Sequence, residues 1–406
     1  MTLDLAVRPD TLDPSIPERF ADGSAHAMFT RLRHEAPIHW CADSAFGPFW
    51  SVSLYDDIVA IEAQPALFSS EAKHGGVSII DVNPAEAAYL ESFIMMDPPH
   101  HAQKRRTIAP AFTPSEMTRL SDSIRARSAA CLDALPRGEG FDWTARVSIP
   151  LTIDMLAILF DFPWEDRDRL RVWSDAITSL DMIANRPQER AALLFEMAGR
   201  FHQLWQERLA APPAPDLLSM MIHSDSFGEM DAAEFMGNMA TLIVGGNDTT
   251  RNSMSALADA FTRWPEQWER LRADPSLIAN AASEVIRWHS PALHMRRTAL
   301  EDTEFRGHHI RKGDKLVLWY VSANREERLF PDGELFMVHR PNARRHLSFG
   351  YGIHRCVGAR LAELQLQILI EEMLRRDLKL VADGAPDRAA HPFLAIINSM
   401  PVRIGS

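Results

Sequence analysis

Cysteine and long apolar runs are scarce in this chain. Its 406 residues include three cysteines, Cys41, Cys131 and Cys356, which lie far apart and form no Cys-x-x-Cys pair. This usage is typical of a reducing compartment, and it argues against a disulfide framework or a structural zinc site. Two aspartates interrupt the apolar stretch at 147–164, so no segment resembles a membrane-spanning helix.

Basic charge and targeting features are also limited. The chain has 43 Lys and Arg against 55 Asp and Glu, a net charge of −12, which disfavours nonspecific binding to nucleic acid. Residues 1–5 show neither the basic nor the apolar region of a secretion signal. We therefore expect a soluble cytoplasmic protein without a membrane anchor. Because no linker or repeat is visible, we predict a single domain over residues 1–406, although the length would allow more.

The most informative feature is the glycine-rich loop at 349–358, which reads FGYGIHRCVG and presents Cys356 just before a helical pattern at 359–376. Glycines let such a loop turn tightly and approach a flat ring closely. A cysteine at a helix start lies near the positive end of the helix dipole, which favours the thiolate. Cysteine thiolate is the haem ligand that promotes O–O cleavage. The alternative interpretation is a buried free cysteine.

A second feature is the long helix predicted over 231–264, which Asp231 and Glu234 are placed to cap. Its centre, residues 245–250, reads GGNDTT, although each glycine inside a helix costs about 1 kcal/mol relative to alanine. Such poor helix formers indicate a functional reason, namely a loosened groove beside a cofactor. The alternative is a kinked core helix with a satisfied threonine.

The remaining pattern predicts a mainly α fold with a minor β portion. Helical periodicity dominates from 99 to 281, after a strand near 49–54 and a helix near 56–63. Residues 305–310 and 315–320 are predicted to pair as a hairpin around the Lys-Gly-Asp turn at 312–314. The tail at 392–404 is predicted to form another short hairpin.

The cysteine loop resembles the haem-binding loop of the cytochromes P450, whose pattern is Phe-Gly-x-Gly-x-His/Arg-x-Cys-x-Gly, and every fixed position is present. The resemblance implies haem b as cofactor, bound in a triangular, helix-rich fold between the long central helix and the cysteine loop. It implies Cys356 as the iron ligand and His354 as a hydrogen-bond donor to a haem propionate. Phe349, Gly350 and Gly358 are the accompanying cofactor-binding positions of the loop.

Two further motifs match the same family. The GGNDT segment resembles the Ala/Gly-Gly-x-Asp/Glu-Thr motif, which implies Thr249 as the alcohol and Asp248 as the acid that deliver protons to bound O2. Glu284 and Arg287 resemble the Glu-x-x-Arg motif, and Arg340 is expected to join them in a buried network that fixes the haem loop. Alone, the Glu-Arg pair would be read as a solvated pair one helical turn apart.

Cations for the two haem propionates are implied at three further positions. His101 and Arg105 stand four residues apart and match the family's His-x-x-x-Arg element, although His100 could take the place of His101. Arg297 matches the arginine that leads into the family's central hairpin. Surface charge is the alternative for each residue.

The positions that match the family's substrate pocket are apolar or small, which implies a hydrophobic substrate with few polar groups. They are Val77, Ile79, Thr241, Leu242, Val244, Gly245, Leu293, Phe393 and Leu394. Segments 141–143, 244–252 and 347–356 resemble the bacterial alkane and medium-chain fatty-acid terminal hydroxylases. That resemblance implies ω-hydroxylation of a linear chain, with terpenes and other compact hydrophobic compounds as the alternative.

The chain lacks the Gly-x-Gly-x-x-Gly dinucleotide fingerprint, so electrons are expected from separate proteins. The resemblance implies an iron–sulfur ferredoxin and its reductase. We expect the ferredoxin to dock on a basic face made of Arg344, Arg345, Arg355, Arg360 and residues 104–106. Two other functions are considered, a peroxide-driven haem enzyme and a haem-based sensor without turnover. The Asp248–Thr249 pair disfavours both.

Overall fold

Helices dominate the computed structural model, which describes residues 12–81, 92–228 and 230–405. The secretion-signal prediction for residues 1–5 lies outside the described residues. Within these ranges the α-helices are α1 (Glu18–Asp22), α2 (Ala25–Glu35), α3 (Tyr55–Glu62), α4 (His100–Ile108), α5 (Pro114–Asp133), α6 (Ile149–Phe160), α7 (Asp168–Thr178), α8 (Leu180–Asn185), α9 (Pro187–Leu209), α10 (Leu217–Ile222), α11 (Ala232–Arg263), α12 (Pro265–Ala273), α13 (Ile278–His289), α14 (Tyr320–Ala323) and α15 (Ala359–Arg375).

The β portion is small and divided among four sheets. The strands are β1 (Ile38–Cys41), β2 (Phe49–Val52), β3 (Phe68–Ser69), β4 (Phe141–Asp142), β5 (Met295–Ala299), β6 (Thr303–Phe305), β7 (His308–Ile310), β8 (Lys315–Leu318), β9 (Leu380–Ala382), β10 (Asp387–Ala389), β11 (Ile396–Ser399) and β12 (Pro401–Ile404). The largest sheet has the order β1-β2-β8-β5-β3. The predicted mainly α fold with a minor β portion is confirmed.

Helix α11 is the long central helix that the sequence predicts. Asp231 caps it, because its Oδ1 accepts hydrogen bonds from the backbone N–H groups of Ala233 (2.9 Å) and Glu234 (2.8 Å). The helix is α-helical from Ala232 to Arg263, through the GGNDTT segment. The space beside this segment therefore comes from missing side chains and does not require a break in the helix.

Two apolar clusters divide the helical core, and they meet α11 on either side of the GGNDTT segment. The first joins α5, α6, α9 and α10 to the early part of α11 and reaches Ile243. The second joins α13, α15 and the C-terminal strands to the later part of α11, starting at Met254. The polar centre of α11 thus lies between the two clusters, and its side chains are available to form a functional site.

No helix in the part of the chain that the structure describes combines the length and the apolar character needed to cross a bilayer.

Both predicted hairpins are wrong. Residues Arg306 and Gly307 have φ values of +53° and +80°, so the chain reverses there and β6 pairs with β7. Strand β8 instead joins the largest sheet, antiparallel to β5 and parallel to β2. In the tail, β11 pairs with β10, whereas β12 pairs with β4 and β9. Strands β8 and β12 thus pair with partners far away in the chain, which local sequence patterns cannot identify.

Candidate active site

The cysteine loop folds back on itself just before α15. The backbone N–H of Cys356 donates to the carbonyl of Phe349 at 2.8 Å, which closes the loop. Gly352 has a φ of +66°, and a Cβ built on it would lie 2.5 Å from the carbonyl oxygen of Glu62. The close approach that requires glycine here is therefore to the end of α3, whereas the sequence analysis attributes it to a flat ring.

Cys356 is solvent-accessible, yet protein atoms surround it closely enough that desolvation raises the pKa of its thiol. The backbone N–H groups of Gly358 and Ala359 and the charges of Arg105 and Arg355 act in the opposite direction and favour the thiolate. A metal ion bound to such a thiol deprotonates it outright. The donor set around Cys356 thus fits a thiolate that binds iron.

Two histidines, His101 on α4 and the half-buried His354 in the cysteine loop, lie side by side. The rings of His101 and His354 have centroids 4.1 Å apart, and in the part of the chain that the structure describes, His101 Nε2 and both ring nitrogens of His354 are buried without a hydrogen-bond partner. Burial lowers the pKa of His101 to about 4 and that of His354 to about 2, so both rings are neutral at pH 7. Each neutral ring keeps one N–H donor, so the pair fits an anionic oxygen ligand such as a haem propionate. His100 is exposed and does not compete.

The two predicted arginines belong to the same group of residues. Next to burial, the charges of Arg297 and Arg105 lower the pKa of His354, and the His101 ring packs against it, so all four predicted propionate ligands lie near one another. Arg105 Nη2 donates to the carbonyl of Arg355 at 2.5 Å and is thereby held against the cysteine loop. The structure therefore brings these four cationic or neutral donors to one side of the site.

The sequence analysis missed Glu62, the last residue of α3 and a fully buried carboxylate. Its Oε1 accepts from Arg297 Nη2 at 2.7 Å and from Tyr320 Oη at 2.6 Å. Its Oε2 accepts from the backbone N–H of Tyr351 in the cysteine loop at 2.8 Å. Burial raises the pKa of Glu62, and the charge of Arg297 opposes that rise. A lone acid at a helix end has no sequence signal that separates it from a solvated one.

The predicted trio of Glu284, Arg287 and Arg340 is fully buried and in contact. Arg287 donates twice to Glu284, from Nε to Oε2 at 2.7 Å and from Nη2 to Oε1 at 2.9 Å. Arg340 Nε donates to the same Oε1 at 3.0 Å. Because one carboxylate serves two guanidinium groups, loss of Glu284 leaves two buried charges without their shared partner.

Asn324 connects this trio to the segment before the cysteine loop, and the sequence analysis missed it too. Arg287 Nη1 donates to the carbonyl of Asn324 at 2.6 Å. The side chain of Asn324 accepts from the backbone N–H of Leu347 at 2.6 Å and donates to Ser348 Oγ at 2.8 Å. The buried charges thereby position the chain that leads into the cysteine loop.

On α11, the Thr249 hydroxyl donates to the carbonyl of Gly245 one turn earlier, at 3.0 Å. A Cβ built on Gly245 would meet no atom of the described residues within 4 Å, so this face of the helix borders open space among them. A Cβ on Gly246 would lie 2.6 Å from Leu156 Cδ2, so that glycine permits close packing against α6. The two neighbouring glycines therefore serve different purposes.

Asp248 is buried and only partly paired. Its Oδ1 lies 2.8 Å from Arg251 Nη2 and accepts from Asn247 Nδ2 at 3.1 Å. Its Oδ2 accepts no hydrogen bond from the described residues, although the Ser174 and Thr178 hydroxyls are near enough to favour the ionised form. Burial is the largest influence and raises the pKa of Asp248, against the charge of Arg251. A buried carboxyl group with one unpaired oxygen and a raised pKa is suited to proton transfer.

Arg251 extends this contact toward the surface. Its Nη1 lies 3.1 Å from Oδ1 of Asp175 on α7, a carboxylate whose side chain is 42% exposed. A chain of charged groups thus runs from solvent to the buried Asp248, and it crosses from α7 to α11.

The predicted pocket positions form two sets. One set lies on α11, where Thr241 and Val244 are half-buried, Gly245 is exposed and Leu242 packs in the first apolar cluster.

The second set gathers where β5 begins. The Leu293 N–H donates to the Phe393 carbonyl at 2.9 Å, and Leu394 forms a β-bridge with Ala292 beside it. Ile79 shares an apolar cluster with Leu293. The Val77 carbonyl accepts a hydrogen bond from the backbone N–H of Arg296 in β5 at 2.8 Å. These five positions come from three separate segments of the chain.

Comparison with known proteins decides the family. The cytochrome P450 family model matches residues 185–397. Linalool 8-monooxygenase of Pseudomonas putida is 38% identical over 378 residues, which cover 91% of this chain and 92% of that enzyme. This chain belongs to the cytochrome P450 family. As a P450 it is a haem b-dependent monooxygenase of hydrophobic substrates, and the histidine pair and the cysteine loop fit that cofactor.

Two further P450 relatives cover nearly the whole chain. The solved structure of CYP153D17 from Sphingomonas sp. PAMC 26605 has a TM-score of 0.92 and 50% identity, and covers 98% of this chain and 100% of that one. A methyl-branched lipid omega-hydroxylase of Mycobacterium tuberculosis is 31% identical, over 94% of this chain and 91% of that enzyme. The P450 resemblance drawn from the cysteine loop is thereby confirmed.

Proposed function

We propose that this P450 hydroxylates the terminal carbon of linear aliphatic chains, either alkanes or medium-chain fatty acids. The observation that carries the proposal is the composition of the nine pocket positions, since none of them has a charged side chain. A terminal C–H bond is stronger than an internal one, so selectivity requires a channel that presents only the methyl end. The similarity to a methyl-branched lipid omega-hydroxylase supports oxidation at a chain end.

In this proposal the cysteine loop and its neighbours hold the haem, which supplies O2 activation when bound. Cys356 binds the iron through its thiolate. His101 and His354 donate their free N–H groups to a propionate, and Arg105 and Arg297 provide the positive charge. The reaction does not involve the side chains of Glu284, Arg287 and Arg340. These residues hold the cysteine loop in position.

Proton delivery is assigned to α11. Asp248 holds or releases a proton at its unpaired Oδ2, and Arg251 and Asp175 connect it to solvent. Thr249 offers its hydroxyl on the open side of the helix beside Gly245. The two residues together move protons from the surface to the side of the helix that borders the pocket.

Terpenes and other compact hydrophobic compounds are the second candidate substrates. The observation that favours them is the 38% identity to linalool 8-monooxygenase. The same apolar pocket positions accommodate either class, so channel width decides between them.

The test is a titration of the purified ferric holoprotein, followed through its Soret band. The probes are linear alkanes, linear fatty acids of increasing length and compact terpenes. We expect saturable shifts toward high spin with linear chains, and an optimum at one chain length. Shifts with terpenes alone would contradict the proposed substrate class.

The proposed electron donor is a ferredoxin with its reductase, in the bacterial cytoplasm. Arg344, Arg345, Arg355 and Arg360 are exposed as expected of a docking face. Lys104 is not part of it, because its ammonium group donates to the Ser226 carbonyl at 2.7 Å and pairs with Glu234. The proposed basic face is therefore made of arginines around the cysteine loop, with Arg106 on α4.

A further inference from the structure

We propose that His391 is a specificity-determining residue, because it joins the C-terminal end of α7 to the tail loop that carries two pocket positions. Through this link it sets the width of the substrate channel. The inference rests on the proposed pocket, and it goes beyond the proposed function by naming what fixes the shape of that pocket.

His391 is 6% exposed and uses both ring nitrogens. Its Nδ1 accepts hydrogen bonds from the backbone N–H groups of Phe393 (3.1 Å) and Leu394 (3.0 Å). Because Nδ1 accepts, the ring proton must be on Nε2, which donates to the carbonyl of Thr178 at 3.1 Å. Burial lowers the pKa of His391 to about 4, so the neutral form that these bonds require is the one present at pH 7.

Thr178 is the last residue of α7, so its carbonyl has no partner inside the helix. The donor that satisfies it comes from a residue 213 positions later in the chain. The end of α7 is therefore held at a fixed distance from the tail loop by a single imidazole ring.

The tail loop is in turn fixed to the other pocket segments. The Phe393 carbonyl accepts from the Leu293 N–H at 2.9 Å, and the Phe393 ring packs edge-on against His294 with centroids 5.3 Å apart. His294 Nε2 accepts from the backbone N–H of Ile79 at 3.0 Å. One continuous series of contacts thus runs from α7 through His391 to all three segments of the second pocket set.

A buried histidine with satisfied nitrogens is often a simple core residue. Here, however, two of its hydrogen-bond partners are amides of the tail loop, which carries two pocket positions, and the third is the end of α7, where the Thr178 hydroxyl lies near Asp248. Each partner would be unsatisfied without His391. Loss of the bond to Thr178 would let α7 move away from the tail loop, and the channel would widen. A wider channel admits compact ligands that a narrow one excludes.

Two matched variants test separately the hydrogen bond of His391 to Thr178 and its hydrogen bonds to the tail amides. In His391→Asn the side-chain oxygen replaces Nδ1, so it accepts from the tail amides but does not reach Thr178. In His391→Gln the side-chain amide reaches the Nε2 position, so it donates to Thr178 and the Nδ1 acceptor is lost.

The measurement is the ratio of apparent Kd values for a medium-chain linear fatty acid and for linalool, from Soret titration of each ferric holoprotein. We expect His391→Asn to change this ratio about tenfold in favour of linalool, the effect of one lost hydrogen bond. His391→Gln should stay within about threefold of the wild type. The reduced-CO spectrum and thermal midpoint of each variant verify that haem and fold are retained.

An unchanged ratio in His391→Asn would overturn the proposal, as would an equal change in both variants. If His391→Asn does not retain haem, His391→Gln decides alone, and a tenfold change in its ratio rejects the link through Thr178. If the wild type itself prefers linalool, the proposed linear substrate is wrong. His391 is still tested in that case, because the ratio must still respond to the Asn substitution.

Discussion

Thr249 is the single side chain on which the proposed proton delivery depends most directly. Thr249→Ala removes the hydroxyl and its bond to Gly245, but alanine favours the helix, so we expect haem binding and the substrate-induced spin shift to persist. Product formed per NADH consumed should fall several-fold, because protons no longer reach the site in step with electrons. The measurement compares NADH consumption with product in the reconstituted system.

Ser253→Ala is the matched control for that variant. Ser253 lies one turn further along α11, and its hydroxyl donates to the Thr249 carbonyl at 2.8 Å. Loss of the Ser253 hydroxyl removes the same kind of hydrogen bond, from a hydroxyl to a carbonyl one turn earlier, at a position that does not neighbour Asp248. The ratio of product formed to NADH consumed should be the same in Ser253→Ala as in the wild type. A wild-type ratio in Thr249→Ala would contradict the proposed role of Thr249 in proton delivery.

Glu62 is the residue whose role is visible only in three dimensions. Glu62→Gln leaves Arg297 without its carboxylate in a buried site, so we expect the free energy of unfolding to fall by about 3 kcal/mol. Denaturant unfolding of the holoprotein measures this change. Glu35→Gln, which breaks an exposed pair with Arg31, is the control and should have little effect. Equal changes in the free energy of unfolding of the two variants would show that the buried pair of Glu62 and Arg297 does not stabilise the fold.

Residue identities could be predicted from the sequence where a motif fixes the spacing, as for Cys356 and for Glu284 with Arg287. Glu62, Asn324 and His391 could not, because each acts on segments far away in the chain. The partners are Arg297 and Tyr320 for Glu62, Ser348 for Asn324 and backbone groups for His391, and no residue pattern connects the separate segments that carry them.

At the scale of elements, helices were predictable and strand pairing was not. α11 differs from its predicted limits by one residue at each end, and α15 differs by one residue at its C-terminal end, because capping and periodicity are local signals. The two predicted hairpins failed because β7 and β11 each pair with the strand just before them, whereas β8 and β12 join strands from other parts of the chain. A hydrophobic strand pattern predicts a strand but does not choose its partner.

The two glycines of α11 provide an element-scale test of why the helix tolerates them. Gly245→Ala adds a methyl group to open space, so helix propensity should raise the free energy of unfolding by about 1 kcal/mol. Gly246→Ala places its methyl group against Leu156, so overpacking should cancel that gain. Denaturant unfolding of both variants measures the difference. Equal stabilisation by the two substitutions would contradict the assigned packing of α11 against α6.

At the scale of the whole molecule, a net charge of −12 coexists with exposed arginines around the cysteine loop. If an acidic ferredoxin docks there, Arg344→Glu should slow electron transfer at low salt by roughly tenfold, and the difference should shrink as salt screens the charges. Stopped-flow reduction by the ferredoxin measures this rate.

Lys312→Glu is the control of equal charge change, since Lys312 is exposed in the turn before β8. It should change the rate only slightly. If Arg344→Glu and the control accept electrons at the same rate at low salt, the proposed docking face is wrong.

The central claim is terminal hydroxylation of a linear chain, and the position of the new hydroxyl group tests it most directly. The holoprotein is supplied with ferredoxin, reductase, NADH and a saturated medium-chain fatty acid, and the products are identified by mass spectrometry. We predict that the ω-hydroxy acid is the main product. Mainly subterminal products, or turnover of linalool without turnover of the linear acid, would contradict the account.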